Sequence, residues 1–105
     1  MSQFAVHRNK NPRTKVEIPF LLDVQSELLD DLATRVVIPL TKARALSKTP
    51  MSVLMPLVDL DGTSYLLLTP QLAGISKSDL GLEVANIANQ KIVIVGALDM
   101  LITGV

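Results

Sequence analysis

The sequence predicts a mainly β domain closed by one C-terminal helix. Three observations lead there. Short alternating or β-branched apolar runs, divided by turn-forming residues, occupy most of the chain. Asp61-Gly62 stands between two such runs, the strongest short-range hairpin signal. The last quarter instead carries apolar residues at helical spacing.

Taken in order, Gln3 to Arg8 alternates, with Phe4 and Val6 apolar, and reads as a strand. A turn-rich stretch follows, Asn9 to Thr14. Ile18 to Val24 is a second strand, which makes a hairpin with the first around a basic loop. Pro19 suits a strand start or edge, because it donates no hydrogen bond. Arg35-Val36-Val37-Ile38 is a third strand ending at Pro39-Leu40. Val53 to Leu60 is a fourth, with Pro56 at an edge or bulge. Beyond the Asp61-Gly62 turn, Ser64 to Leu68 is a fifth, and Gln71 to Ile75 adds a short one. Ser78 or Asp79 caps a helix starting near Gly81-Leu82. Val84, Ile87, Ala88, Lys91, Val95, Leu98 and Ile102 form its stripe. Ile92-Val93-Ile94-Val95 alone favours a strand, but the longer stripe decides for helix.

At 105 residues one domain with a modest core is expected. Apolar residues are 49% but aromatics only 3% (Phe4, Phe20 and Tyr65), so that core is aliphatic. Ten basic and ten acidic residues cancel, which argues against a general electrostatic grip on nucleic acid. Without cysteine there is no disulfide, thiolate metal site or cysteine nucleophile. The N-terminus lacks a basic region followed by an apolar stretch, so no signal peptide is expected. No apolar run approaches the roughly 20 residues of a membrane span. A cytoplasmic location is the expectation. Arg8, Lys10, Arg13 and Lys15 cluster without an acid, either as a solvated hairpin tip or as an anion or partner contact.

From Ile92 to Ile102 only Asp99 is charged, so the helix is apolar on nearly every side. A small sheet covers one such face. The second face predicts an interface, and two-fold self-association is the commonest solution. Catalytic chemistry is sparse. His7 is the only histidine and lies in a strand. Asp30-Asp31 beside Glu27 reads as a solvated loop, and Asp59 and Asp61 belong to a turn. No set of residues supplies nucleophile, base and oxyanion donor together, and neither metal nor cofactor is called for. A binding role is more economical than an enzymatic one.

Leu21-Leu22-Asp23-Val24-Gln25-Ser26-Glu27-Leu28-Leu29-Asp30 resembles the VDVQSDIID segment of the CcdB toxins. Thr34 to Leu40 resembles their RRMVIPL strand, and Leu68-Thr69 with Leu72-Ala73 their MTTDMASVP region. Glu83-Val84-Ala85-Asn86 is similar to the EEVADL start of their C-terminal helix, and Gly104-Val105 to their terminal glycine plus aliphatic residue. The match runs from Gln3 to Val105.

The resemblance implies an SH3-like barrel of the CcdB type, an antiparallel sheet plus a long helix. It implies a homodimer across the helices, with Leu98, Leu101, Ile102 and Gly104 at the interface. It further implies a type II toxin that binds the DNA gyrase A subunit and traps the gyrase–DNA cleavage complex, without being an enzyme. A CcdA-type antitoxin neutralises such toxins, and the complex represses its own operon. DNA is engaged only through gyrase or the antitoxin. The gyrase-binding residues implied are Ser26, Leu28, Asp99, Thr103, Gly104 and Val105. An acid inside an apolar helix strengthens the case for Asp99, since a buried unpaired carboxylate is costly. The chain departs from the family at Thr103, where tryptophan is familiar, although some relatives also lack it. It departs again at Gln90 to Gly96, where a polar segment has become apolar. Two alternatives stand beside the leading one: a non-toxic member keeping dimerisation and antitoxin binding, and a MazF-like endoribonuclease using His7 and the basic loop.

Overall fold

A computed structural model describes residues 2–43 and 52–104. Among the described residues are seven strands and one α-helix: β1 (Ala5–Asn9), β2 (Phe20–Asp23), β3 (Thr34–Lys42), β4 (Leu57–Leu60), β5 (Thr63–Leu67), β6 (Ala73–Ser76), β7 (Leu80–Asn86) and α1 (Lys91–Ile102). The strands form a curled antiparallel sheet in the order β4-β5-β3-β2-β1-β7, with β6 on β3. The fold is mainly β with a single C-terminal helix, consistent with an SH3-like barrel plus helix.

The β1–β2 hairpin forms as expected, with Val6 opposite Leu22. The β4–β5 hairpin turns on Asp61 (φ 54°) and Gly62 (φ 86°). Both central residues have positive φ, the geometry that matches the twist of the flanking strands. β3 runs on through Pro39 to Lys42, beyond the end expected from sequence. On one side it pairs with β2. On the other it pairs with β6 from Thr34 to Val37 and with β5 from Leu40 to Lys42. The Pro39 carbonyl accepts from the Leu68 N–H at 3.0 Å, so its missing donor faces the hand-over between β6 and β5. That gap is where a proline costs the sheet least.

Two further corrections concern strand limits. The fourth strand begins at Leu57, and residues 52–56 are irregular. The short strand expected at Gln71–Ile75 falls on Ala73–Ser76.

The largest correction is at Leu80–Asn86. This segment is not the start of the helix but a strand on β1. The edge of β1 needs a hydrogen-bonding partner, and a helix here would leave it bare. Leu80, Leu82 and Val84 alternate as a strand requires, while Val84 and Ile87 happened to extend the helical stripe upstream. Ser76, rather than Ser78 or Asp79, caps the short 3₁₀ turn that precedes β7. The β-branched run Ile92–Val95 is helical, as expected, with Ile94 and Ala97 fully buried. Packing against the sheet outweighs local propensity there.

The main core gathers the inward positions Val6, Leu22, Val24, Ile38, Leu40 and Leu67 against Ile94 and Ala97 of α1. It is aliphatic, as the composition requires. A smaller cluster of Leu21, Val37 and Leu80 lies elsewhere on the sheet. Gly81 permits the close approach of β7 to β1, because a Cβ there would lie 2.6 Å from the Arg8 carbonyl oxygen. Gly81→Ala is therefore expected to spread that strand pair and lower the unfolding free energy by about 1–3 kcal/mol, the usual cost of overpacking. Urea denaturation checks it, and an unchanged midpoint would refute the close-approach argument.

Candidate functional site

The sequence-derived residues fall on two exposed features. The first is the loop between β2 and β3. Ser26 accepts a hydrogen bond from the Leu28 N–H at 3.2 Å and caps a 3₁₀ turn at Glu27–Leu29. The turn lifts Leu28 into solvent, where it is 94% exposed, with Leu29 and Leu32 also exposed. A cluster of exposed leucines on a short ordered loop is the form of a contact surface.

A buried charge network, not the loop's own turn, fixes this surface. Arg35, at the start of β3, has a fully buried side chain. Its Nε donates to Asp23 Oδ2 at 2.7 Å, one terminal nitrogen donates to Asp30 Oδ1 at 3.1 Å, and the other donates to the Gln25 carbonyl at 3.3 Å. The other Asp23 oxygen accepts from the Gln25 N–H at 3.0 Å. The Gln25 side chain accepts from the Val36 N–H and donates to the Leu29 carbonyl, both at 2.9 Å. Lys77 donates to the Asp30 carbonyl from the far side. Each buried side chain of this network thus has a partner, which such burial demands. Sequence reasoning missed this network. Its signal was an aspartate ending an apolar strand and an arginine opening another.

The second feature is the outer face of α1. Ile92, Val95, Asp99 and Ile102 share one side of the helix, and Ile92 and Ile102 are 84% and 75% exposed. Asp99 is exposed too, so the cost of a buried carboxylate does not apply to it within one protomer. Its carbonyl accepts from the Thr103 N–H and hydroxyl, at 2.8 and 2.7 Å. Of the expected dimer residues, Leu98 packs partly on the core, Leu101 is half-buried, and Ile102 and Gly104 are exposed. Gly104 has φ +71° and donates to the Met100 carbonyl at 3.1 Å, the left-handed end of a helix. No atom lies near the position of its missing Cβ, so backbone conformation, not space within the protomer, calls for glycine. Val105 lies outside the described residues.

The two features are joined through the N-terminal segment. Gln3 donates to the Val24 carbonyl at 3.1 Å, beside the Ser26 loop. Gln3 and Phe4 also line a groove of about 550 Å³ with Lys91, Ile92, Val95 and Asp99 of the helix. Phe4 itself sits at φ 69°, held between the Asp23 carbonyl, which accepts from its N–H at 2.6 Å, and the Ile87 N–H, which donates to its carbonyl at 2.9 Å.

The remaining sequence candidates lie apart from these two features. His7 is 4% exposed, and its Nδ1 donates to the Gly81 carbonyl at 3.1 Å. The basic loop is closed on itself, with Asn9 and Asn11 bonding the N–H groups of Asn11 and Arg13 at 3.0 Å, and Lys10 donates to the Ser78 carbonyl at 2.9 Å. Among the described residues, no group of three histidine, cysteine or acidic side chains is placed to hold a metal ion, and no helix is long and apolar enough to cross a membrane.

Two outcomes follow from this geometry. Arg35→Ala leaves Asp23 buried without its cation and is expected to cost about 3–5 kcal/mol, whereas the double change Asp23→Leu with Arg35→Met costs less. Chemical denaturation of both ranks them, and the reverse order would refute the pairing argument. Gly104→Leu is expected to lower stability by about 1 kcal/mol and Gly104→Asn by less, since asparagine tolerates the left-handed region. Equal melting temperatures for the two variants would remove the conformational explanation. The comparison with protein families matches residues 3–104 to the family described as CcdB protein.

Proposed function

This chain belongs to the CcdB family, toxins of toxin–antitoxin pairs, and from that premise we propose that it binds the DNA gyrase A subunit and traps the gyrase–DNA cleavage complex. The observation that carries the reading is the surface placement of the matched positions. Ser26 and Leu28 stand on one exposed loop, Asp99 and Thr103 on one end of α1, and Gln3 links the two. The action is by binding and not by catalysis. The exposed leucines of the loop supply apolar area, and the Asp99 carboxylate supplies a charge for a basic group on gyrase.

The toxin acts as a homodimer. Ile92, Val95 and Ile102 leave an apolar helix face open to a second copy, which Leu98, Leu101 and Gly104 would join. A CcdA-type antitoxin covers the toxin, and the pair autoregulates its operon in the cytoplasm.

A second reading rests on Thr103. Its hydroxyl bonds back to the Asp99 carbonyl, and it offers no aromatic ring as an anchor. On that reading the chain keeps dimerisation and antitoxin binding without toxicity.

A gyrase cleavage assay with and without ATP separates the two. The intact protein is expected to accumulate cleaved DNA, and deletion of residues 103–105 is expected to abolish this while sedimentation still shows a dimer. A truncated protein that traps gyrase as well as the intact one would overturn the C-terminal site. An intact dimer that binds antitoxin but never traps gyrase would establish the second reading.

A further inference from the structure

Among the described residues the sheet does not close on itself, and β4 and β7 are its two end strands. Between them lies a cleft of about 560 Å³, lined on one wall by Asp59, Leu60 and Asp61 and on the other by Val84, Asn86 and Ile87. Phe20 and Tyr65 also line it and meet edge to face at 5.4 Å.

The hydrogen bonding along the cleft is unusual. The Gln90 side chain accepts from the Asp59 N–H at 2.8 Å, and its amide nitrogen donates to the Asp59 carbonyl at 2.7 Å. Both Asp59 backbone groups therefore point away from β5 and into the seam. A primary amide placed this way offers what one residue of a neighbouring strand would offer, one acceptor and one donor. Leu57, two residues back, faces the same edge by the alternation of an antiparallel ladder. Across the seam, the Ile87 N–H donates to the carbonyl of Phe4, the residue before β1, so the flanking Asn86 backbone groups, opposite Ala5, turn outward from β1.

We propose that this seam is a docking slot for an extended peptide strand with alternating basic and apolar side chains, which pairs with the edge of β4 in place of Gln90. Strand addition to an open edge draws affinity from main-chain bonds and selectivity from alternate side chains. Asp59 is exposed on the outer face of β4, while Val58 and Leu60 are buried. A basic side chain opposite Asp59, near Asp61, is matched in charge. The alternate side chains turn inward toward Leu60 and Ile87. Gln90 is then an internal competitor that shields the edge until a strand displaces it.

The slot is separate from the proposed gyrase surface, and its test is independent of gyrase. A capped hexapeptide alternating lysine and valine is titrated into the isotope-labelled protein, with a glutamate–valine hexapeptide as counterpart. Saturable shifts of the Asp59 and Asn86 amides are expected with the lysine peptide only. Gln90→Ala is expected to tighten binding roughly 5- to 30-fold, the scale of one to two net hydrogen bonds released from competition. Gln90→Glu, which keeps the acceptor and loses the donor, is the second variant should the first not fold. Asp59→Lys is expected to transfer the preference to the glutamate peptide. Equal binding of both peptides, unchanged affinity in the Gln90 variants, or shifts absent from Asp59 and Asn86 would each overturn the proposal.

Discussion

The Arg35–Asp23 pair is the constraint on which the rest of this structure depends. Its guanidinium and carboxylate are wholly removed from water, so each must satisfy the other and every remaining lone pair must find a donor. The consequence is a continuous line of bonds. Asp30 and Gln25 tie the leucine loop to Arg35, and Arg35 ties it to Asp23. The Asp23 carbonyl holds the N–H of Phe4, and the Phe4 carbonyl holds that of Ile87. Ile87 opens the turn into α1. The exposed loop and the exposed helix are thus positioned by one polar spine running beneath an aliphatic core. An apolar pair would pack there as well, but it would not specify which backbone groups meet.

Much of the fold was legible in the sequence, and the failures have particular causes. The Asp61-Gly62 hairpin follows from turn chemistry alone. Ile92–Val95 folds as a helix because its stripe continues to Ile102 and because β7 already fills the place beside β1. Residues 80–86 were misread because Val84 and Ile87 fit a helical period by coincidence. What decides for a strand is the distant demand of β1 and the missing side chain of Gly81, neither visible locally. Pro39 stopped the third strand on paper, yet its carbonyl direction places the missing donor where two partners change over.

The candidate site was legible only through resemblance. Periodicity and charge drew attention to Asp99 for a reason that fails in a protomer, since its carboxylate faces solvent. They gave no hint that Gly104 serves as a left-handed helix end, or that Ser26 holds the turn that exposes Leu28. The residues that position the site, Asp23, Gln25 and Arg35, lie beside those that form it. A charged residue at the margin of an apolar strand is the sequence trace of such support.

The hand-over along β3 bears on how a change in one part of the sheet reaches another. One strand serves two separate neighbours on the same side, β6 near its start and β5 near its end, with Pro39 at the division. The half facing β6 carries Arg35 and answers to the leucine loop. The half facing β5 answers on that side to the β4–β5 hairpin and on the other to Phe20 and Leu21 of β2. On this side no ladder is shared by the two halves, and only β2 on the opposite side pairs across the division. The β4–β5 hairpin therefore reaches the surface set by Arg35 through β2 and the core rather than through β6, so a change at its Asp61-Gly62 tip lies two strands away from that surface's own support.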